Sequence, residues 1–550
     1  MKDQGEYDAV VVGAGFAGLY MLHRLRIQGL SVRLFEAADG VGGVWYWNRY
    51  PGARCDVESA DYSYSFDPDL EQEWHWPEKF AAQPEIMRYT NHVADRYDLR
   101  PHIQLATRVT SAAYDEDEDR WEVSTDRGDV VRARFVFMAT GCLSVARTPD
   151  YPGRGNFRGE SYHTGAWPHE PVDLAGKRVG VIGVGSSGTQ LIPTVAEVAA
   201  HLYVFQRTPN FTVPALNAAT DEDYETAVKA TYRERRAFTR QTASGLNRDM
   251  NRQSALETSP EERARIYEEY WNGAGFGFIL AFSDLLRSRE ANQTAVDFLT
   301  GKIREQVRDP AVADLLSPKD YPFGAKRPSV DTGYYAAFNR PNVTLVDVRT
   351  APIQEITEKG LRTADNEYEF DILVFATGFD AMTGALDNID VRGRGGQSLR
   401  DKWAAGPRTY LGVSSAGFPN LFMIAGSGSP SVLTNVMASI EQHVEWLNDL
   451  VASMRSHDVT SVEATLEAED AWVDHVNEIA DLTLYPQANS WYLGANVPGK
   501  PRVFMPYPGG LRAYRRKCNE VAEAGYEGFV LTSLTAVSAS SVATDSRPQD

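Results

Sequence analysis

At 550 residues and 61.0 kDa the chain exceeds one ordinary hydrophobic core, so two or three domains are expected. A formal net charge of -20 argues against a nucleic-acid partner or an anionic membrane surface, while leaving room for a local basic pocket. The three cysteines, Cys55, Cys142 and Cys518, are scattered and suit a reducing cytosol better than a disulfide framework.

The first element, "YDAVVVGAGFAGLYMLHRL", predicts a buried strand, a glycine turn and an amphipathic helix. Gly13, Gly15 and Gly18 form G-x-G-x-x-G around Phe16 and Ala17. In that pattern the first glycine makes the tight turn, the second admits a pyrophosphate to the backbone, and the third lets helix and strand pack closely. The next strand, "SVRLFEA", ends at Glu36, about 20 residues beyond the last glycine, where a carboxylate accepts from ribose hydroxyls and repels a 2′-phosphate. This cradle therefore suits FAD or NAD. Further on, "TRVTSAAY" and "RWEVST" flank the acidic run Asp115 to Asp119, which predicts a hairpin turn. "RFVFMATG" then ends a strand at Ala139 to Gly141.

"FRGESYHTGAWP" follows, with His163 and Trp167 among flexible glycines, and is expected to link two domains. Its histidine either orients that linker or transfers a proton. "KRVGVIGVGSSGTQLIPTVA" repeats the glycine design with Gly183, Gly185 and Gly188, and Ser186, Ser187, Thr189 and Gln190 open its helix. Here the following strand, "HLYVFQRTP", ends on Arg207 and Thr208, where an NAD site would place its acid. A guanidinium there favours a 2′-phosphate, so NADPH is preferred.

The stretch from "DEDYETAVKATYRERRAFTR" to "FLTGKIREQV" reads as helical. Within it "GAGFGFILAF" (273–282) is too short to span a membrane and is expected to be buried or to line a substrate channel. "DILVFATG" repeats the earlier strand ending at Ala376 to Gly378.

The fold class expected is α/β, with two dinucleotide-binding (Rossmann-like) domains and an inserted helical subdomain. The FAD-binding domain takes residues 1–145 and 380–533, and the NADP-binding domain 150–210 and 323–379. The helical insertion takes 215–320, and 534–550 is a Ser- and Thr-rich tail expected to be disordered. Two cradles of opposite preference imply that one holds a flavin while the other presents a nicotinamide to it. The absence of C-x-x-C rules out dithiol chemistry, and no metal-ligand spacing or G-x-S-x-G elbow is present.

"GGVWYWNRYPGARCD" and "FRGESYHTGAWP" together resemble the two signatures of the Baeyer–Villiger monooxygenases, the class B flavoprotein monooxygenases. The likeness runs from about residue 7 to about residue 532 and takes in "YPFGAKRP", "LFMIAGSGSPS" and "ANSWYLGANVPGKPRVFM". It implies an FAD- and NADPH-dependent enzyme that uses O₂ to turn a ketone into an ester or lactone, through a flavin C4a-peroxide, with sulfoxidation alongside. It implies Arg327 as the active-site cation and Asp56 as the carboxylate that orients it. For FAD it carries over Phe16, Ala17, Gly18, Glu36, Val44, Trp45, Tyr46, Trp47, Asp56, Tyr62, Val109 and Val436. Arg54, Cys55 and Arg327 are carried over as further cofactor contacts, with Lys326 on the 2′-phosphate and Trp491 in a loop closing over bound NADP. The partners implied are a small ketone and O₂, for a cytoplasmic monomer without nucleic acid or membrane. Two alternatives stay open: an N- or S-oxygenating flavin enzyme, and a flavin redox sensor that oxygenates nothing.

Overall fold

The computed structural model describes residues 3–533, so the expected tail at 534–550 lies outside the described residues. Strand β1 (Glu6–Val12) buries Ala9, Val10, Val11 and Val12 in succession, as a strand covered on both faces must. Helix α1 (Phe16–Ile27) connects it to β2 (Val32–Phe35), its parallel neighbour on one side. On the other side runs β3 (Val130–Met138), also parallel. β3 is long enough to serve two partners: its first half pairs antiparallel with Arg120–Thr125, its second half parallel with Leu421–Met423. Val109–Asp115 and Arg120–Thr125 form the hairpin, turning at the acidic run. The finished sheet has eight strands, and α1 packs on the long helix Val436–Ser456.

The second sheet has five strands, all parallel. It consists of β4 (Glu160–His163), β5 (Arg178–Ile182), β6 (His201–Gln206), Val343–Asp347 and β7 (Ile372–Phe375). Helix α2 (Ser186–Val198) joins β5 to β6. The spatial order is Val343–Asp347, β6, β5, β7, β4.

The segment around His163 is thus not a free linker, since β4 is the edge strand of this sheet. Four residues with the pattern "ESYH" carry too little periodicity to announce a strand. His163 accepts from the Gly165 amide at Nδ1 (2.9 Å) and donates from Nε2 to the Arg147 carbonyl (3.1 Å). Burial lowers its pKa, so the imidazole stays neutral in this tautomer. It fastens the end of β4 to the crossing from β3, while the Trp167 amide donates to the Trp47 carbonyl of the first lobe (3.2 Å).

Between β6 and β7 in sequence lie the helices Glu222–Thr239, Pro260–Trp271, Arg289–Gln306 and Pro310–Leu316. Each starts where the sequence offers a capping oxygen: Asp221, Ser259, Ser288 and Asp309 all accept a first-turn amide. The apolar faces of Pro260–Trp271 and Arg289–Gln306 meet around Tyr267, Phe278, Phe282, Leu299 and Phe323, while Ala313 and Leu316 of the last helix join the core of the second sheet. "GAGFGFILAF" contributes the 3-10 helix Gly275–Leu280 to this core.

Candidate active site

The first cradle is built by close backbone approach. Gly13 has φ +103°, and a Cβ there would lie 2.6 Å from the Ala139 carbonyl. A Cβ on Gly18 would lie 1.8 Å from the Gly13 carbonyl, so only glycine lets α1 reach the turn. Gly15 caps α1 without a side-chain acceptor, leaving first-turn amides open to an anion. Glu36 is buried and accepts from the Ala14 (2.6 Å) and Ala38 (2.8 Å) amides. Burial pushes its carboxyl up, against those amides. Val44, Trp45, Tyr46 and Trp47 form one helical turn next to Gly43, which passes close to Gly15.

Around this cradle, Trp45 Nε1 donates to the Tyr62 hydroxyl (3.0 Å). Ala17, Trp45 and Val436 pack on a core that includes Phe16, Cys55 and Tyr62. Val109 joins a different core, with Val12 and Phe35.

The second cradle repeats the geometry. Gly183 has φ +109° with a Cβ position 2.4 Å from the Ala376 carbonyl, and Gly188 meets the Gly183 carbonyl at 2.4 Å. The paired "ATG" strands are therefore the walls that both glycine turns lean on. Gly185 faces open space and caps α2 without a side chain, with Ser186 and Ser187 in the first turn. The Thr189 hydroxyl is buried, and the Gln190 side chain turns to the first lobe rather than to the cradle.

Arg207 and Thr208 follow β6, and Lys326 sits with its ammonium 4.5 Å from the Tyr321 ring centre. Burial and then the charge of Arg207 push the Lys326 ammonium down to about 8. Neither cation forms an ion pair among the described residues. Two cations near enough for one to depress the other, and without an ion-pair partner, fit a 2′-phosphate. The glycine cradle with Glu36 fits an adenine dinucleotide without one.

Between the cradles, Arg327 from the second lobe meets Asp56 from the first. Its Nε and Nη2 donate to the Asp56 carboxylate in a fork of 3.1 to 3.2 Å, and Nη1 donates to the Val432 carbonyl (2.6 Å). The guanidinium carbon lies 4.0 Å from the Phe276 ring centre. Burial opposes the charge, yet Asp56 holds Arg327 above the ordinary arginine value. Burial also pushes the Tyr492 phenol up to about 12, so it stays neutral beside Arg327. Burial and then Asp56 raise the Cys55 thiol, which leaves it an unreactive packing group.

Trp491 opens the turn Trp491–Leu493 and packs in the same satellite core as Val432 and Tyr492. Its loop is tied down where Asn496 donates to the Phe379 carbonyl (2.7 Å) and Lys500 to Asp380 (2.5 Å) and the Ala381 carbonyl (2.7 Å). Three neighbours of Arg327 escaped the sequence reading: Phe276, Tyr492 and the Val432 carbonyl. Only Phe276 had a signal, in the glycine-punctuated apolar run.

The Flavin-binding monooxygenase-like family matches residues 7–254. Over 529 residues the chain is 46% identical to a Baeyer-Villiger monooxygenase of Pseudooceanicola batsensis, covering 96% of each. It is 44% identical over 536 residues to the phenazine N-monooxygenase PhzNO1 of Lysobacter antibioticus, covering 97% of this chain and 98% of that protein. Among solved structures, an oxidized steroid monooxygenase bound to NADP shares 54% identity at a TM-score of 0.93, with 96% of this chain and 99% of that one covered.

Proposed function

This chain belongs to the Baeyer–Villiger monooxygenases, and from that premise we propose how its residues convert ketones to esters or lactones with FAD, NADPH and O₂. The observation that carries the reading is the Arg327–Asp56 fork, which joins the two lobes between their cradles. Bound FAD, once reduced by NADPH, would activate O₂ so that one oxygen atom goes to the ketone and the other leaves as water. Everything else is done by the chain.

The uncapped end of α1 neutralises the FAD pyrophosphate while Glu36 orients its ribose. Arg207, Thr208 and Lys326 take the 2′-phosphate of NADPH. As oxygen adds to the ketone carbon, negative charge gathers on the carbonyl oxygen. Arg327, permanently charged and already oriented, meets that charge without reorganising. Asp56 fixes the guanidinium plane, and Phe276 covers one face. The anchored loop around Trp491 keeps water from competing.

Flavin-loaded protein given NADPH, O₂ and a panel of cyclic, aryl and steroid ketones is expected to yield esters or lactones. No ester from any of them, with the flavin intact, overturns the reading.

We infer further that the protein works as a cytosolic monomer. Both cradles and the ion pair come from one chain, and Cys55, Cys142 and Cys518 are free. No helix among the described residues is long and apolar enough to cross a membrane.

The depressed Lys326 pKa gives a signed prediction. Below about 8 its ammonium is present and attracts the 2′-phosphate; above that the charge is lost. The NADP⁺ dissociation constant should therefore rise by up to about tenfold between pH 7 and pH 9, measured by calorimetry. Lys326→Met should bind more weakly at pH 7 and lose this dependence.

A further inference from the structure

We propose that Gln190 is a positioning residue, which couples coenzyme binding at α2 to the Asp56–Arg327 pair in the other lobe. The inference rests on the second cradle being the NADP site. Gln190 lies beyond the four free amides of the helix start, so it is not placed as a phosphate ligand. Its buried carboxamide reaches across the lobes instead. Oε1 accepts from the Tyr50 hydroxyl (2.7 Å) and the Arg54 amide (3.3 Å), while Nε2 donates to the Arg54 carbonyl (3.0 Å). Only a side chain that accepts and donates from one rigid plane can grip both main-chain groups of a single residue. Arg54 stands two positions before Asp56.

The gripped segment cannot yield on its far side. Its Cys55 amide donates to the Ala81 carbonyl (2.9 Å), and the Gln83 amide donates to the Ala53 carbonyl (2.9 Å). The Arg54 guanidinium holds the Phe80 carbonyl (2.6 Å). Gly52 completes the contact, because a Cβ there would lie 2.4 Å from the Gln190 carbonyl.

Arg327 is tethered to the same helix from the other direction. Ser186, the first residue of α2, has its Oγ 3.5 Å from that of Ser329, and Asn210 Nδ2 donates to Ser329 Oγ (2.9 Å) and toward the Arg327 carbonyl (3.4 Å). Each half of the ion pair thus stands within two residues of a contact with α2. A coenzyme that draws on the start of this helix bears on the geometry of the pair through both contacts, and Gln190 is the stronger one.

Hydrogen exchange read by mass spectrometry on the FAD-loaded enzyme, with and without NADP⁺, tests this without any ketone. In the native protein NADP⁺ should slow exchange both in a peptide covering 183–192 and in one covering 50–58. Gln190→Leu should keep the first effect and lose the second, with the NADP⁺ dissociation constant changed by less than about fivefold. NADPH consumed per ester formed should rise in the same variant. Gln190→Glu keeps both acceptor bonds but sets a carboxyl oxygen against the Arg54 carbonyl in place of the donor, so its coupling should also fall; it carries the comparison if Gln190→Leu does not accumulate. Undiminished NADP⁺ protection of 50–58 in the variants overturns the proposal. So does loss of both effects together with greatly weakened NADP⁺ binding, which would make Gln190 a plain coenzyme contact. A protein that oxidised no ketone would still give one of these answers, so this idea and the ketone reading fail separately.

Discussion

Arg327→Ala is expected to lower ester formation by about 10²–10³-fold while leaving flavin content unchanged, as removal of a single preorganised donor to a developing oxyanion does elsewhere. The guanidinium contacts Asp56, the Val432 carbonyl and Phe276, and none of the glycines of the first cradle, so flavin retention should not depend on it. Reduced coenzyme should still be consumed, with the oxygen ending as hydrogen peroxide instead of product. Arg327→Lys should not rescue, because an ammonium cannot fork to Asp56 and hold Val432 at once. Asp56→Asn should fall between, since the cation remains but its plane is no longer fixed. Ester and peroxide yields per NADPH measure all three.

The same variant separates ketone oxidation from the N- or S-oxygenation that the sequence alone left open. A soft nitrogen or sulfur attacks the oxygen directly and builds no oxyanion. Full retention of every activity in Arg327→Ala would therefore favour an N- or S-oxygenase.

The second large effect comes from matched glycine substitutions in the two lobes. Gly18→Ala would press a methyl to 1.8 Å from the Gly13 carbonyl, and Gly188→Ala to 2.4 Å from that of Gly183. Backbone cannot give way as a side-chain tip can, so each lobe must open its helix away from its turn, at a cost of about 1–3 kcal/mol or more. Gly18→Ala should lose roughly nine-tenths of its flavin, read from the visible absorbance after purification. Gly188→Ala should keep its flavin and bind NADP⁺ about tenfold more weakly or worse. If either variant lost both cofactors equally, the assignment of one cradle to each would be wrong.

Local signals carried much of the design. The glycine turns, Glu36 and Arg207 follow from spacing along one strand-turn-helix unit, and the helical character of the insertion follows from its residue pattern. What remained hidden is long-range. Gln190 and Arg54 are 136 residues apart, and nothing in "SSGTQ" says which way the carboxamide points. Val432 acts through its carbonyl, which no side-chain pattern encodes. The strand at His163 owes its existence to pairing with Ile372–Phe375, a contact made only after the chain has passed through the insertion.

A crystal structure of the enzyme with FAD, NADP⁺ and a product lactone bound would show whether Arg327 holds the oxyanion. The lactone carbonyl oxygen should lie within about 3 Å of an Arg327 nitrogen, with the Asp56 fork intact. A lactone seated away from Arg327, or an Arg327 swung off Asp56 and out of the site, would contradict that role.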